Sequence, residues 1–299
     1  MSSNRLTLRD LADPEFLAAV SRLQLFVRRV ARGGMPAEQR SLHLGGGMEF
    51  RDFRPYTPGD DFRAIDWNIY RRLGRVVLKL FEELEDLPVY LAVDVSKSMF
   101  QGENPRGHAA LKAAFALASV ALQQHDKVAV FPFSDELEVA MRPSSGHGKQ
   151  MRVAQVLADL EPKGRTDFER SMRRLNGLGL RRGLLVLISD FFDAAGLEAI
   201  ERALKGVRHR LLFIQLVRSD DAQPGLEGDL RLLDCETGQA RDVSLTPSVR
   251  AAYEASYRRF QEGLLKLAQS KRAGLLRLDV DEPVVDQIAS LLADGVHAL

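Results

Sequence analysis

The sequence predicts an α/β protein with a mostly parallel sheet covered by helices on both faces, preceded by a small β-rich appendage and an N-terminal helix. Two observations carry this reading. From residue 87 onward, short unbroken apolar runs alternate with amphipathic helical patterns, as expected of strands buried on both faces. Before residue 87 that alternation is missing, and residues 41–86 are dense in turn formers, aromatics and charges.

In chain order, residues 14–32 come first. Phe16, Val20, Leu23, Val27 and Val30 recur at helical spacing, Asp13 can cap the start, Pro14 suits the first turn and Gly33-Gly34 ends it. Residues 1–40 therefore read as an N-terminal helical segment. Residues 41–86 hold Gly45-Gly46-Gly47 and EFRDFRPYTPGDDFRAIDW without a sustained helical period, then a strand at 75–80. This is the β-rich appendage. Residues 87–299 form the main domain, with strands expected at 89–93, 128–133, 184–188, 211–217 and 275–280. The helices between and after them are expected at 108–123, 150–160, 167–178, 197–205, 248–270 and 284–292. Within 248–270, Tyr253, Tyr257, Phe260, Leu264 and Leu267 form a stripe expected to face the core.

Composition narrows the function classes. Hydrophobic residues make up 45% and charged residues 28%, enough to build a core. Lys and Arg number 42 against 41 Asp and Glu, a net charge of +1, so no general drive toward nucleic acid or membrane is expected. The single cysteine, Cys235, excludes an internal disulfide and a cysteine-based zinc cage. The start lacks a signal-peptide core and no apolar run is long enough to span a bilayer, so the expected location is cytoplasmic.

The chemistry gathers at strand ends. In doubly wound sheets, ligands bind beyond the carboxyl ends of the strands. The run 89–93 leads directly into Asp94-Val95-Ser96-Lys97-Ser98, where alternate residues offer one carboxylate and two hydroxyls to one point. Thr166 precedes a helix and supplies another hydroxyl; Asp190 ends the strand 184–188 and supplies a second carboxylate. Oxygen donors of this kind suit Mg²⁺ or Mn²⁺. The alternative is that these residues only cap helices and turn the chain.

Asp94-x-Ser96-x-Ser98, then Thr166 and Asp190, resembles the metal-ion-dependent adhesion site of von Willebrand A domains. That resemblance implies a cation held by the first three residues and the threonine, with the last aspartate acting through water. It also implies an open position for a partner's Glu or Asp.

A second block is more distinctive. EFRDFRPYTPGDDFRAIDW with Arg71, Lys79 and Glu83, then Pro143–Gly146, Arg182-Gly183, Ser189-Asp190, His209 and Asp234-x-Glu236-Thr237-Gly238, resembles the "domain of unknown function 58" family. The resemblance covers roughly residues 41–290, with one departure at Tyr70, where a small residue is expected. It implies a von Willebrand A-like domain and, as partner, a MoxR-type AAA+ ATPase presenting an acidic residue. The implied role is chaperone-like, in complex assembly or in metal and cofactor insertion. Arg54, Tyr56, Asp60, Asp61, Arg63, Asp66 and Trp67 read as a network that either pins the appendage or docks a partner.

An enzyme is the competing class. Asp94 beside Mg²⁺ suits a phosphoester hydrolase with an aspartyl nucleophile, but Ser96 stands where such enzymes need a second carboxylate. No Ser-His-Asp order, Cys-His pair or zincin motif is present, so the expectation is a protein that is not an enzyme. A structural scaffold with an empty metal site is the third reading. The arginines Arg165, Arg170, Arg173, Arg174, Arg181 and Arg182 lie near the expected site and, interleaved with Asp167 and Glu169, read as a solvated helix face; the alternative is a rim that steers an acidic partner toward the metal.

Overall fold

The computed structural model describes residues 6–33, 48–57, 65, 67–83, 88–146, 148–226 and 228–293. Side chains are described for these except at 28–33, 48–54, 68, 79–83 and 291–293. The chain divides into two compact units, residues 1–34 with 87–299, and residues 35–86.

The N-terminal segment holds two helices. In α1 (Leu8–Leu11) the Thr7 N–H and hydroxyl both donate to Asp10, each at 2.7 Å. Asp13 accepts the Phe16 N–H at 3.0 Å and so caps α2 (Pro14–Gly33), with Pro14 in the first turn as expected.

The smaller unit holds β1 (Met48–Pro55), α3 (Trp67–Leu73) and β2 (Val77–Glu83). The two strands pair antiparallel, with a register shift between Phe50 and Asp52. Helix α3 departs from the helix-free expectation for this segment. Trp67-Asn68-Ile69-Tyr70 is too short to show a period against the turn-rich residues before it. Tyr70 meets Trp67 edge-on, ring centroids 6.1 Å apart, and both rings are exposed, so a small residue is not required there.

The main unit continues with β3 (Val89–Asp94), α4 (Arg106–Gln123), β4 (Val128–Phe133), β5 (Met141–Ser144), α5 (Lys149–Ala158) and α6 (Phe168–Asn176). Then follow β6 (Leu184–Ser189), α7 (Gly196–Ala203), β7 (Arg210–Val217), β8 (Gly228–Leu233), β9 (Ala240–Leu245), α8 (Pro247–Lys271), β10 (Gly274–Asp279) and α9 (Val284–Ala293). Six strands form one sheet in the order β10-β7-β6-β3-β4-β5, parallel except for β5 at one edge. Every residue of β3 and β4 is buried, which explains why both read as unbroken apolar runs.

The sheet has two apolar faces and both are covered. One face, with Leu91, Val130, Ile188 and Ile214, lies under α4, whose alanines let it approach closely. The N-terminal helices join this layer: Leu11, Val20 and Leu23 are buried there, and Phe16 sits 6.0 Å from Phe115. The other face, with Tyr90, Phe131, Leu187 and Phe213, lies under α6, α7 and the C-terminal half of α8. A fully buried Leu, Ile or Phe contributes about 1.5–3 kcal/mol, so these two layers hold the sheet rigid.

The α8 stripe is only half core. Leu264 and Leu267 are buried, but Tyr253 is 43% exposed and its hydroxyl donates to the Asp221 carbonyl at 2.8 Å. The first turns of the helix bond to the loop after β7 and contact β9, outside the main sheet: Arg250 donates to the Leu226 carbonyl at 3.1 Å. Beside it stands the β8–β9 hairpin, antiparallel with Leu233 opposite Ala240. No strand is expected at this hairpin from the sequence: its strands are almost wholly exposed, and the alternation in Leu230-Arg231-Leu232 and Val243-Ser244-Leu245 spans only three residues in each. Among the described residues, no helix is long and apolar enough to cross a membrane.

Candidate metal centre

The order of the sheet decides where ligands can bind. The chain leaves β3 toward β4 on one side, and β6 returns on the other, so the topological switch lies between β3 and β6. A crevice opens at the carboxyl ends of two such strands because their connections run in opposite directions. Asp94 ends β3, and Val93 lies opposite Ile188 of β6, which brings Ser189 and Asp190 level with it.

Asp94 is fully buried. Its Oδ1 accepts the Ser96 backbone N–H at 2.9 Å, which sets the turn out of the strand. Its Oδ2 accepts the Ser189 hydroxyl at 2.6 Å and the Thr166 hydroxyl at 3.2 Å. Ser96 and Ser98 face the same point, their hydroxyls 3.0 Å apart. Two backbone bonds fasten the Thr166 loop to the β3 turn: Lys163 N–H donates to the Val95 carbonyl at 2.9 Å, and Lys97 N–H to the Gly164 carbonyl at 3.3 Å. Gly164 is required here, since its φ is +63° and a Cβ would lie 2.4 Å from the Asp135 carboxylate.

The loop after β6 is held as firmly. Asp190 is buried and accepts the Phe192 N–H at 3.0 Å. Phe191 between them takes a φ of 63°, unusual for a bulky residue. Its buried ring stacks on Phe168 at 5.5 Å and meets Phe213 at 5.3 Å, contacts that hold the strained backbone in place. Asp193 then accepts the Phe168 N–H at 3.0 Å, tying this loop to the start of α6, which Asp167 caps through the Arg170 N–H at 2.8 Å.

Electrostatically, the two carboxyls oppose each other. Burial raises the Asp94 pKa, against the hydrogen bonds from Ser189, Ser96 and Thr166. Burial, and then the charge of Asp94, push Asp190 up to about 7, and the Arg106 guanidinium only partly offsets them. Arg106 itself, at the start of α4, is paired with Asp221. Two such acids are relieved either by a proton or by a cation between them.

The donor set fits a hard divalent cation. Every group is an oxygen, as Mg²⁺ and Mn²⁺ prefer. Thr166 and Ser189 donate their protons to Asp94, and Ser98 donates to Glu236 at 2.8 Å. Ser98 can therefore only accept from Ser96. Each hydroxyl spends its proton on a neighbour and keeps a lone pair for a metal. Among the described residues, no three His, Cys, Asp or Glu side chains form a group that could hold a metal, so any cation here depends on the hydroxyls.

The structure thus brings together Asp94, Ser96, Ser98 and Thr166, with Asp190 beside them. Two neighbours had no assigned role from sequence, Ser189 and Glu236. Ser189 directly precedes Asp190 at a strand end, a signal available but unused; Glu236 is visible in the Asp234-x-Glu236-Thr237-Gly238 motif, but nothing in the sequence ties it to Ser98, 138 residues away. The second group of residues is a different matter. Tyr56 and Trp67 are exposed, and the Tyr56 N–H donates to the Val76 carbonyl at 3.1 Å. The Arg54 side chain and Asp60, Asp61, Arg63 and Asp66 lie outside the described residues. The arginines near the site form exposed pairs, Arg170 with Glu136 and Arg173 with Glu169, contributing little to stability.

A six-stranded sheet with one antiparallel edge strand, helices on both faces and an Asp-x-Ser-x-Ser turn at the switch point defines a von Willebrand A-type α/β domain. Within that class, the chain belongs to the family described as "Protein of unknown function DUF58", whose model matches residues 52–263. Its curated relatives include the uncharacterized proteins Rv1480 of Mycobacterium tuberculosis and Mb1516 of Mycobacterium bovis. Each is 26% identical over 289 residues, 95% of this chain and 91% of the relative. Among solved structures, BatB of Bacteroides thetaiotaomicron is 14% identical with a TM-score of 0.41, covering 70% of this chain and 98% of that one. The manganese-loaded TRAP protein of Plasmodium vivax is 21% identical with a TM-score of 0.34, covering 44% of this chain and 57% of that one. At these scores neither structure informs the site of this chain.

Proposed function

We propose that the chain is a metal-dependent protein-interaction module. Asp94, Ser96, Ser98 and Thr166 hold Mg²⁺ or Mn²⁺, with Asp190 behind them, and an Asp or Glu of a protein partner completes the site. The observation that supports this most directly is the convergence of two buried carboxyls and spent hydroxyls at one switch point. A cation there would neutralise the paired acids, and the few anionic ligands would leave it electrophilic toward an external carboxylate.

The proposed partner is a MoxR-type AAA+ ATPase, and the proposed role is chaperone-like, in complex assembly or in metal and cofactor insertion. Both rest on the family resemblance. A cytoplasmic location goes with them, in keeping with the balanced charge of the chain. A catalytic role finds less support, because buried Ser96 stands where an aspartyl phosphatase would place its acid.

Calorimetric titration of Mg²⁺ and Mn²⁺ into the natural chain and into Ser96→Ala/Ser98→Ala tests the reading. Binding by the natural chain alone is the expected result, followed by Mg²⁺-dependent capture of the purified ATPase. Undiminished binding by the double variant would overturn the assignment of these hydroxyls.

A further inference from the structure

The Ser98 hydroxyl donates to Glu236 at 2.8 Å, and Glu236 lies within the long connection from β7 to β10. It stands at the tip of the β8–β9 hairpin, an exposed element that reaches the candidate metal centre through this bond. We propose that Glu236 is a built-in occupant of the position meant for the partner's carboxylate, so that a partner binds by displacing the hairpin tip. This inference rests on the proposed metal-dependent reading and adds its regulation.

Three features support it. The first is chemical identity: the site is proposed to take an Asp or Glu carboxylate, and a glutamate carboxylate is what the hairpin delivers to it. The second is presentation. Asp234 accepts the N–H groups of Glu236 at 2.8 Å and Thr237 at 3.2 Å, and the Thr237 hydroxyl at 2.7 Å. Asp234 N–H bonds the Gln239 carbonyl at 2.8 Å, and Gly238 turns the chain with a φ of +73°. Asp234-Cys235-Glu236-Thr237-Gly238 is thus a pre-shaped turn that aims Glu236, in contrast to a loop that happens to pass by. The third is cost. Leu232 and Leu233 are 46% and 69% exposed, so little apolar area holds the hairpin down and the tip can leave without opening the core.

A tethered carboxylate competes at an effective concentration of roughly millimolar or more. A site filled in this way presents a lower apparent affinity to any external acid, by the fraction of time it is empty. The same contact would discriminate among partners, since only an acid presented with enough additional surface exchanges with Glu236.

The experiment uses Mn²⁺ as the metal and acetate as the external carboxylate, with the natural chain, Glu236→Ala and Glu236→Gln. Bound Mn²⁺ is measured by calorimetry, and water access to it by the relaxation of water protons. The expected result is that all three bind Mn²⁺, that relaxation per bound ion rises in Glu236→Ala, and that acetate suppresses it at about tenfold lower concentration than in the natural chain. Glu236→Gln, which keeps an acceptor for Ser98 without the charge, should fall between. Equal Mn²⁺ binding with unchanged relaxation and acetate response would overturn the occupant role and leave the metal site standing. Loss of Mn²⁺ binding in Glu236→Ala would make Glu236 a permanent ligand, which overturns displacement. No Mn²⁺ binding by any of the three would overturn the metal reading and this inference with it.

Discussion

The two sides of the candidate centre are built in opposite ways. On the sheet side, Asp94, Ser96, Thr166, Ser189 and Asp190 are all buried, each placed by a strand end or by a loop fastened to one. On the hairpin side, Glu236 rides on exposed strands and is aimed by a local turn, with Ser98 as its contact on the sheet side. The contrast separates two tasks. A cation site needs donors fixed within a fraction of an ångström, which only packed strands and cross-linked loops supply. A position that exchanges one carboxylate for another needs an occupant that can depart without disturbing those donors. The two sides meet at Ser98, which touches both.

The largest expected effect is on the rigid side. Asp94→Ala leaves the Ser189 and Thr166 hydroxyls and the Ser96 N–H buried without their acceptor, at about 1–3 kcal/mol for each such group. Relief of the repulsion with Asp190 recovers part of this, so the net loss should be roughly 3 kcal/mol. Urea unfolding of the metal-free protein measures it. A loss near zero would mean that the turn does not depend on Asp94, and the comparison with the hairpin would lose its basis.

Asp190→Asn should act in the opposite direction. The carboxyl moves from an ordinary value of 3.8 to about 7 on folding, so the folded state binds its proton more tightly than the unfolded chain does. Stability is therefore lost as pH rises from about 4 to 7, and the whole cost is present above 7. Asparagine removes the charge and keeps an oxygen for the Phe192 N–H. At pH 8 it should stabilise the metal-free protein by about 2 kcal/mol, less than the roughly 4 kcal/mol carried by the full shift because the buried amide has a desolvation cost of its own, with no gain below pH 4. Saturating Mg²⁺ should shrink that advantage, because the cation relieves the same repulsion. An advantage unaffected by pH would show that the acid is not the source.

How legible this was in the sequence follows from the same contrast. The parallel strands and the helices beyond residue 87 were readable because burial on both faces writes itself as unbroken apolar runs, as in Val89–Asp94 and Leu184–Ser189. Asp94 and Asp190 were readable because they sit immediately after such runs. Elements set by local turns or by distant contacts were not. The hairpin is exposed, α3 spans only two turns, and the first half of α8 stays partly exposed although its apolar stripe continues. Asp234-x-Glu236-Thr237-Gly238 was visible as a motif, but its role depends on a hydrogen bond to a residue 138 positions away. Periodicity reports on packing and says nothing of where an exposed turn points.

The smallest effect on stability, and the sharpest on the comparison, is expected from Asp234→Ala. The Asp234 side chain serves the turn, accepting from the N–H groups of Glu236 and Thr237 and from the Thr237 hydroxyl. Alanine should free the tip while leaving β8 and β9 paired, since the ladder from Leu233 and Ala240 to Gly228 and Leu245 does not involve that side chain. The urea midpoint should match that of the natural chain, and Mn²⁺ affinity should be unchanged. Acetate should nevertheless bind the Mn²⁺-loaded protein nearly as tightly as it binds Glu236→Ala, because a carboxylate that is present but no longer aimed competes poorly. An acetate affinity equal to that of the natural chain would show that Glu236 finds Ser98 without the turn. The tip would then owe its position to Ser98 itself, and the division between a rigid side and an exchangeable side would have to be redrawn around that single hydroxyl.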